Sequence, residues 1–136
     1  MHWIFLSPHF DDAVLSCGGI IWEELRRGAQ VSLWTICAAP PPPAPLSPFA
    51  EELHARWQTG EQASQSRQQE DISSCQVLGA GYRHLGLSDC IYRTGAQGEF
   101  LYASESSLNG PLHPLDQLWV ERLSAELAQT LPARVR

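Results

Sequence analysis

The sequence predicts an α/β protein, because its first residues alternate between strand and helix signals. Trp3 to Leu6 is a short, continuous apolar run closed by a Ser-Pro pair, which is typical of a strand buried on both faces. From Ala13, apolar residues recur near helical spacing until a basic last turn and the stop residue Gly28. Gln30 to Cys37 follows as the second strand. A strand, a helix and a strand within about 35 residues indicate a right-handed parallel crossover.

The middle of the chain supplies a loop, two helices and a third strand. Ala39 to Pro48 carries six of the ten prolines, which predicts a stiff loop above the strand ends. Phe49 to Trp57 is expected to form a short helix, and Ala63 to Leu78 a longer one that stops at Gly79. Tyr82 to Leu85 then predicts the third strand.

The last third of the chain is less regular. Gly86 to Pro114 holds four glycines and no sustained period, which indicates a functional or hairpin-forming stretch. Leu115 to Leu131 is expected to be an amphipathic helix, with Leu118, Leu123 and Leu127 facing inward.

The strand count is low for the sheet that these elements imply. Open, doubly wound sheets usually have five or more strands, and only three are visible before the chain ends. Ala133 to Arg136 resembles the start of another strand. We therefore expect a single domain, residues 1–136, that is Rossmann-like with three α/β/α layers and a mostly parallel sheet. Strand one is expected at its centre, with truncation after the third strand.

Composition excludes several functions. The chain has 9 Lys and Arg residues against 15 Asp and Glu, for a net charge of -6, so a nucleic-acid partner is not expected. All nine basic residues are arginine, and the absence of lysine excludes P-loop and Schiff-base mechanisms. The four cysteines form no C-x-x-C pair, which fits buried thiols in a reduced compartment. The short apolar N-terminus predicts neither a signal peptide nor a membrane span, hence a cytoplasmic protein.

A polar cluster follows the first strand. His9, Asp11 and Asp12 lie where this strand ends and the first helix begins, the position at which open α/β sheets bind ligands. His9 and Asp12 are three residues apart, so both side chains can face one side and share a metal ion such as zinc, while Asp11 projects differently. The alternative is structural, since either aspartate can cap the N-terminus of the helix.

Four segments in order resemble a known family over essentially the whole chain. They are S-P-H-F-D-D-A-V-L-S-C-G-G, R-R-G-A-Q-V, R-Q-Q-E-D followed by L-G-A, and L-S-D-C-I-Y-R. Together they resemble the zinc-dependent de-N-acetylases of the PIG-L/LmbE type. The resemblance implies a Zn²⁺ cofactor and a hydrolase that removes N-acetyl groups from N-acetylglucosamine-containing small molecules or glycoconjugates.

The resemblance also assigns roles to the polar cluster. It makes His9 and Asp12 zinc ligands and Asp11 the general base that takes the proton of the attacking water. Two residues depart from the H-P-D-D-E pattern of the family. Phe10 replaces proline, which alters the pocket wall, and Ala13 replaces glutamate, which removes a hydrogen bond to the site.

Two further residues are substrate-binding candidates. Arg67 aligns with an arginine that resembles a substrate-binding residue of the family and is suited to a sugar hydroxyl or phosphate. Arg67 can instead form an ordinary surface pair with Glu70 or Asp71 on its own helix. Asp89, in the loop after the third strand, is the second candidate.

The other histidines are expected to be structural. His2 is assigned to a frayed terminus, His54 to a helix surface and His84 to a strand. The sequence from His113 to Asp116 repeats the His-x-x-Asp spacing, but Asp116 is interpreted as an N-cap because proline lies between them.

The family's third zinc ligand has no counterpart in the sequence. The resemblance places this histidine in an H-x-x-H-like motif beyond the strand expected near residue 133. A catalytic zinc usually has three protein ligands, so weak metal binding is expected from two. We therefore expect the N-terminal half of a deacetylase: a fragment, a truncated product or one piece of a two-chain protein.

Two alternatives stay open. One is an inactive fragment or interaction module whose exposed sheet edge pairs with a second chain or another copy of itself. The other is a metal-dependent phosphohydrolase, disfavoured by the missing lysine and by the position of His9.

Overall fold

The structure, a computed structural model, describes residues 1–57 and 63–131. These residues fall into two compact units, one comprising 1–40 and 63–88 and the other 41–57 and 89–131. Short 3-10 helices lie at Cys90–Tyr92 and Pro114–Asp116. The strands and longer helices, in chain order, are β1 (His2–Ser7), α1 (Asp12–Arg26), β2 (Gln30–Thr35), α2 (Pro48–Arg56), α3 (Ala63–Leu78), β3 (Gly81–His84), α4 (Glu105–Leu108) and α5 (Gln117–Thr130).

The first unit contains a parallel sheet with the order β1-β2-β3, which confirms the α/β class. The expectation that strand one is central is wrong for the described strands, because β2 lies between the other two. The connection from β1 to β2 and the connection from β2 to β3 each place the next strand on the same side of the previous one, so β1 is an edge strand among the described strands. Along the carboxyl end of the sheet, Ser7 is in register with Thr35 and Thr35 with His84. These three side chains form a polar row across all three strands.

The two faces of β1 are covered unequally, so the prediction of full burial on both faces is wrong. Trp3 and Phe5 point to one side, stack on each other and pack against the core. Leu6 points to the opposite side and is 45% exposed. Alternate side chains of a strand face opposite sides of the sheet, and among the described residues only the Trp3 side carries a hydrophobic core cluster.

The core of the first unit joins α1 and α3 to the sheet. Ile21 of α1, Leu33 of β2 and Cys75 of α3 are fully buried in one cluster. Burial raises the pKa of the Cys75 thiol to about 11, so this cysteine stays protonated as an apolar core residue. None of the four cysteines, all of which lie in the described ranges, forms a disulfide.

The helix stops of the first unit follow the predicted glycines. Gly28 lies two residues after the end of α1, and Gly79 lies directly after α3. They adopt positive φ angles of 82° and 80°, a conformation that costs glycine little. The bounds of α3 are those predicted, whereas β2 ends at Thr35, earlier than expected. Beyond Thr35 the chain instead forms an isolated antiparallel bridge between Cys37 and Gly86.

The second unit has its own small core. The helix α2 begins after Ser47, whose hydroxyl accepts a hydrogen bond from Ala50 N at 3.0 Å. Ala50 and Leu53 then bury one face of α2 against Ile91. The stretch predicted to be functional or hairpin-forming contains one antiparallel bridge, between Thr94 and Phe100.

The predicted inward face of the last helix is only partly observed. Leu118 is 63% exposed, Leu123 and Leu127 are half-buried, and no residue of α5 is buried.

Asp116 occupies the N-cap position, but its side chain makes no cap bond. It is fully buried and accepts a hydrogen bond from Arg93 Nη1 at 2.6 Å. The predicted N-cap position of Asp116 is therefore confirmed, whereas its side chain pairs with Arg93 and does not cap the helix. In the described ranges, no helix is both long and apolar enough to cross a membrane.

Adjacent isoleucines on α1 provide a test of this core. Ile21 is 0% exposed and Ile20 is 55% exposed. We expect Ile21→Ala to lower the free energy of unfolding by about 2–5 kcal/mol, because it leaves a cavity in the core. The matched variant Ile20→Ala should change it by less than about 0.5 kcal/mol. Urea titration measures both, and equal effects would contradict the packing of α1.

Candidate metal centre and active site

The candidate site lies in the turn between β1 and α1, at the carboxyl end of the sheet. Ser7, buried at the last position of β1, donates a hydrogen bond from Oγ to His9 O at 2.7 Å. The same oxygen accepts one from Ala13 N at 3.0 Å. A single hydroxyl thereby ties the start of the turn to the first turn of α1. Residues 9–12 are held as a short loop above the strand end.

Two side chains of this turn converge. His9 Nδ1 lies 3.2 Å from Asp12 Oδ2, and the same carboxylate oxygen accepts a hydrogen bond from His9 N at 3.0 Å. Both side chains are partly exposed, at 43% and 46%, so solvent reaches them. Ligand atoms about 2.0–2.1 Å from a tetrahedral zinc ion lie about 3.3 Å apart. The observed separation therefore suits two ligands of one ion.

No third metal ligand accompanies this pair within residues 1–57 and 63–131. In those ranges no group of three His, Cys, Asp or Glu side chains is arranged to hold a metal ion. The geometry thus brings together two of the three protein ligands that a catalytic zinc site usually has.

Asp11 differs from His9 and Asp12 in its backbone conformation. It is the N-cap residue of α1, with a left-handed φ of 71°, and its side chain makes no cap hydrogen bond. The alternative that Asp11 caps the helix with its carboxylate is therefore wrong. A left-handed conformation costs a non-glycine residue about 1 kcal/mol, so surrounding contacts must hold it.

The electrostatic surroundings make the Asp11 carboxylate more basic. Partial burial raises its pKa, and the negative charge of Asp71 raises it further. The guanidinium of Arg67 acts in the opposite direction, while Glu70 and Asp12 add smaller increases. The net pKa lies above the ordinary value for aspartate. A raised pKa suits a carboxylate that must accept a proton near neutral pH.

Arg67 reaches the turn from α3. Its Nη2 donates a hydrogen bond to Phe10 O at 3.3 Å, one residue before Asp11. The alternative of a surface ion pair between Arg67 and Asp71 is wrong, because Asp71 is only 1% exposed and does not lie on the helix surface. Its assignment as a substrate-binding residue stays a prediction.

Sequence reasoning missed two residues of this region, Asp71 and His84. His84 Nε2 lies 2.8 Å from Asp71 Oδ2, and Thr35 Oγ1 donates to the same oxygen at 3.3 Å. Asp71 Oδ1 accepts a hydrogen bond from Asp11 N at 3.2 Å. The available signal was positional, since His84 ends a parallel strand and therefore lies at the same sheet edge as the turn.

Phe10 and Ala13, the two departures from the family pattern, are both buried. The Phe10 ring meets the imidazole of His84 edge to face, with centroids 5.2 Å apart. Phe10 therefore packs beneath the turn, against a residue that sequence reasoning had assigned only to a strand.

The remaining candidates have structural contacts. Asp89 lies in the second unit, where its Oδ1 accepts a hydrogen bond from Ile91 N and caps a 3-10 helix. Its substrate-binding role stays a prediction. His2 is not frayed, because it begins β1 and its Nε2 lies 3.1 Å from Ser32 Oγ. His54 is half-buried and lies 2.6 Å from the Tyr92 hydroxyl.

Comparisons with known proteins agree on one family. The family model described as PIG-L: GlcNAc-PI de-N-acetylase matches residues 4–131. The chain is 30% identical over 109 residues to 2'-N-acetylparomamine deacetylase of Streptomyces fradiae. Its structure is similar to that of a deacetylase bound to teicoplanin, with a TM-score of 0.80 and 29% identity. It is also similar to the zinc-inhibited form of the teicoplanin deacetylase Orf2, with a TM-score of 0.75 and 28% identity.

The chain corresponds to part of each of these proteins. The match to the paromamine deacetylase covers 79% of this chain and 34% of the relative. The two structural matches cover 99% of this chain but 56% and 55% of the solved chains. The chain thus spans about half the length of the solved deacetylases that it matches.

The hydroxyl of Ser7 provides a test of how the turn is held. We expect Ser7→Ala to lower the free energy of unfolding by about 1–3 kcal/mol, because it leaves His9 O and Ala13 N without this partner. The control Ser32→Ala removes a half-buried hydroxyl at the amino end of the sheet and should cost less. Urea titrations compare the two variants, and equal losses would contradict the special role of Ser7.

Proposed function

The chain belongs to the PIG-L family, and we propose that it carries the zinc-binding and proton-transfer residues of a hydrolase that removes the N-acetyl group from an N-acetylglucosamine conjugate. The observation that supports this most directly is the turn from His9 to Asp12. It presents an imidazole and a carboxylate 3.2 Å apart at the carboxyl end of a parallel strand. Asp11 lies between them in sequence, with a raised pKa.

The donor set fits a zinc ion. One imidazole nitrogen and one carboxylate oxygen are common zinc ligands, and both side chains are accessible to solvent. His9 and Asp12 would hold the ion. When bound, zinc supplies a lowered pKa for a coordinated water and polarisation of the amide carbonyl.

Asp11 has the properties of the general base in this reaction. Its carboxylate would take a proton from the attacking water while the water oxygen adds to the carbonyl carbon of the acetyl group. The protonated Asp11 would then return the proton to the nitrogen as the carbon–nitrogen bond breaks. Bond breaking gives acetic acid and the amine, and transfer of the acid's proton to the amine gives acetate and the ammonium product, so atoms and charges balance.

The proposed substrate is an acetylated amino sugar. The family description and the paromamine relative both name acetylated sugar compounds. Arg67 is proposed to hold a hydroxyl or phosphate of the substrate, since a guanidinium has five N–H donors and the Phe10 carbonyl takes one. Asp89 is proposed as a second substrate contact.

The site as described needs a third zinc ligand. We propose that this ligand comes from outside the two described ranges, in a longer form of the protein or in a second chain. Two ligands alone would leave the ion weakly held, because each protein ligand adds to metal affinity.

A second candidate function is that of an interaction module. Among the described strands, β1 pairs only with β2, so its outer edge has no strand partner there. A strand edge of this kind can pair with another chain or a second copy. This function would not require zinc at His9 and Asp12.

Calorimetry with zinc tests the proposed ligands. We expect weak zinc binding to the 136-residue chain and a further loss of affinity in His9→Ala and Asp12→Ala. The control is His2→Ala, which removes a histidine from the opposite end of the same strand and should not affect binding. Tight binding that is insensitive to His9→Ala would show that the ligands are assigned wrongly.

Acetate release tests the proposed reaction. We expect no turnover of an N-acetylglucosamine glycoside by the chain alone. We expect turnover once a C-terminal segment is fused after Arg136 that brings the chain to the length of the solved deacetylases. In that fusion, Asp11→Asn should lower kcat by about 10²–10⁴-fold while zinc stays bound. Turnover by the chain alone would contradict the external third ligand. A fusion inert towards all N-acetyl sugars tested would favour the interaction module.

A further inference from the structure

Asp71 has no role in the reaction as proposed, yet its carboxylate is placed directly beneath the turn. It is 1% exposed, so substrate cannot reach it. Its Oδ1 accepts the N–H of Asp11 and its Oδ2 faces Thr35 Oγ1 and His84 Nε2. A buried carboxylate is costly unless it is paired, and these three contacts supply its partners.

His84 is itself fixed on several sides. Its Nδ1 lies 3.2 Å from Gln68 Nε2, and its ring packs against Phe10 and Tyr82. With the amide of Gln68 donating to Nδ1, the ring proton lies on Nε2 and points at Asp71 Oδ2. The side chain is only 13% exposed. The orientation of the carboxylate is therefore set by an imidazole that cannot easily turn.

These contacts converge on the strained part of the turn. Asp11 is the one non-glycine residue with positive φ in the described ranges, and its carboxylate does not cap the helix. Its N–H is held by Asp71, and the preceding carbonyl, of Phe10, is held by Arg67 from the same helix. The two polar groups of the Phe10–Asp11 peptide, its carbonyl and its N–H, are thus both anchored to α3.

We propose that Asp71, oriented by His84, is a positioning residue that holds the Asp11 carboxylate in its working direction. Neither residue touches substrate or metal. Both act through the backbone of the turn, because the Asp11 side chain is aimed by a left-handed backbone that the Asp71 hydrogen bond maintains. This inference rests on the proposed function for the role of Asp11, whereas the anchoring itself does not.

The test compares two buried carboxylates. Asp71→Asn keeps the shape of the side chain but removes its charge and places an amide against the His84 N–H. The matched control is Asp116→Asn in the second unit, since Asp116 is also fully buried and its carboxylate also accepts a hydrogen bond from a side chain, that of Arg93. Both variants are expected to lose stability, and only the first to affect the site.

The first measurement needs no activity. In the zinc-free chain, the amide proton of Asp11 is expected to resonate downfield and exchange slowly, because it is bonded to a carboxylate. Asp71→Asn should shift this resonance upfield and speed its exchange relative to the global unfolding rate. His84→Phe should also shift the resonance upfield and speed its exchange, though by less. His84→Gln retains an N–H donor, so its resonance should lie closer to that of the wild type. Asp116→Asn should leave the resonance unchanged.

The second measurement uses the active fusion that continues past Arg136. Asp71→Asn should lower kcat by about 10-fold or more with KM unchanged, since the residue acts on the placement of the base and not on substrate binding. His84→Gln should retain more of kcat than His84→Phe. Asp116→Asn should retain the wild-type kcat.

Several outcomes would overturn the proposal. One is an Asp11 amide that does not respond to Asp71→Asn, and another is a kcat that falls equally in the Asp116→Asn control. If Asp71→Asn does not fold, the two His84 variants decide, and equal behaviour of Gln and Phe at position 84 would overturn it. If the wild-type fusion is inert while the amide responds as expected, the proposed function has failed and the anchoring of Asp11 stands.

Discussion

The buried carboxylate of Asp71 is the contact on which the geometry of the site depends. It joins four pieces of the first unit that are far apart in sequence: the turn at Asp11, the end of β2 at Thr35, the end of β3 at His84, and α3 itself. A carboxylate so deeply buried is stable only while its partners stay in place, since losing one leaves an unsatisfied charge. The same requirement makes the arrangement rigid. The sheet register and the shape of the turn are therefore linked through one side chain.

The carboxyl end of the sheet explains why this linkage lies where it does. Ser7, Thr35 and His84 are in register across the three strands, and each offers a polar atom to the layer above. Ser7 bonds the turn directly, whereas Thr35 and His84 bond it through Asp71. A row of apolar residues would fix no direction there, because hydrophobic contacts are not directional. Hydrogen bonds from this row specify the orientation of a loop that must present two side chains to one point.

Local patterns in the sequence predicted much of the first unit. The crossover through α1, the bounds of α3 and the glycine stops follow from periodicity and capping, which involve neighbours in sequence. The approach of His9 and Asp12 follows from their three-residue spacing. Strand order and the exposure of α5 could not be predicted, because both depend on which surfaces meet in three dimensions. Leu118 has the spacing of an inward residue but lies 63% exposed.

The burial of Asp71 could not be predicted, because the spacing of residues along a helix does not determine which of them are buried. An acidic residue four positions after an arginine fits a solvated ion pair, and nothing in the local sequence distinguishes that arrangement from a buried acid. The distinction comes from residues 60 positions upstream and 13 downstream along the chain. Charged residues are almost never fully buried unless they are paired. A buried, paired aspartate next to an aspartate with left-handed backbone is therefore an unusual combination, of the kind found at functional sites. The fold accepts the desolvation of the Asp71 carboxylate beneath the turn and the backbone strain of Asp11 within the turn. Both features lower stability, and both help to fix the orientation of Asp11. At this position a defined conformation matters more than stability.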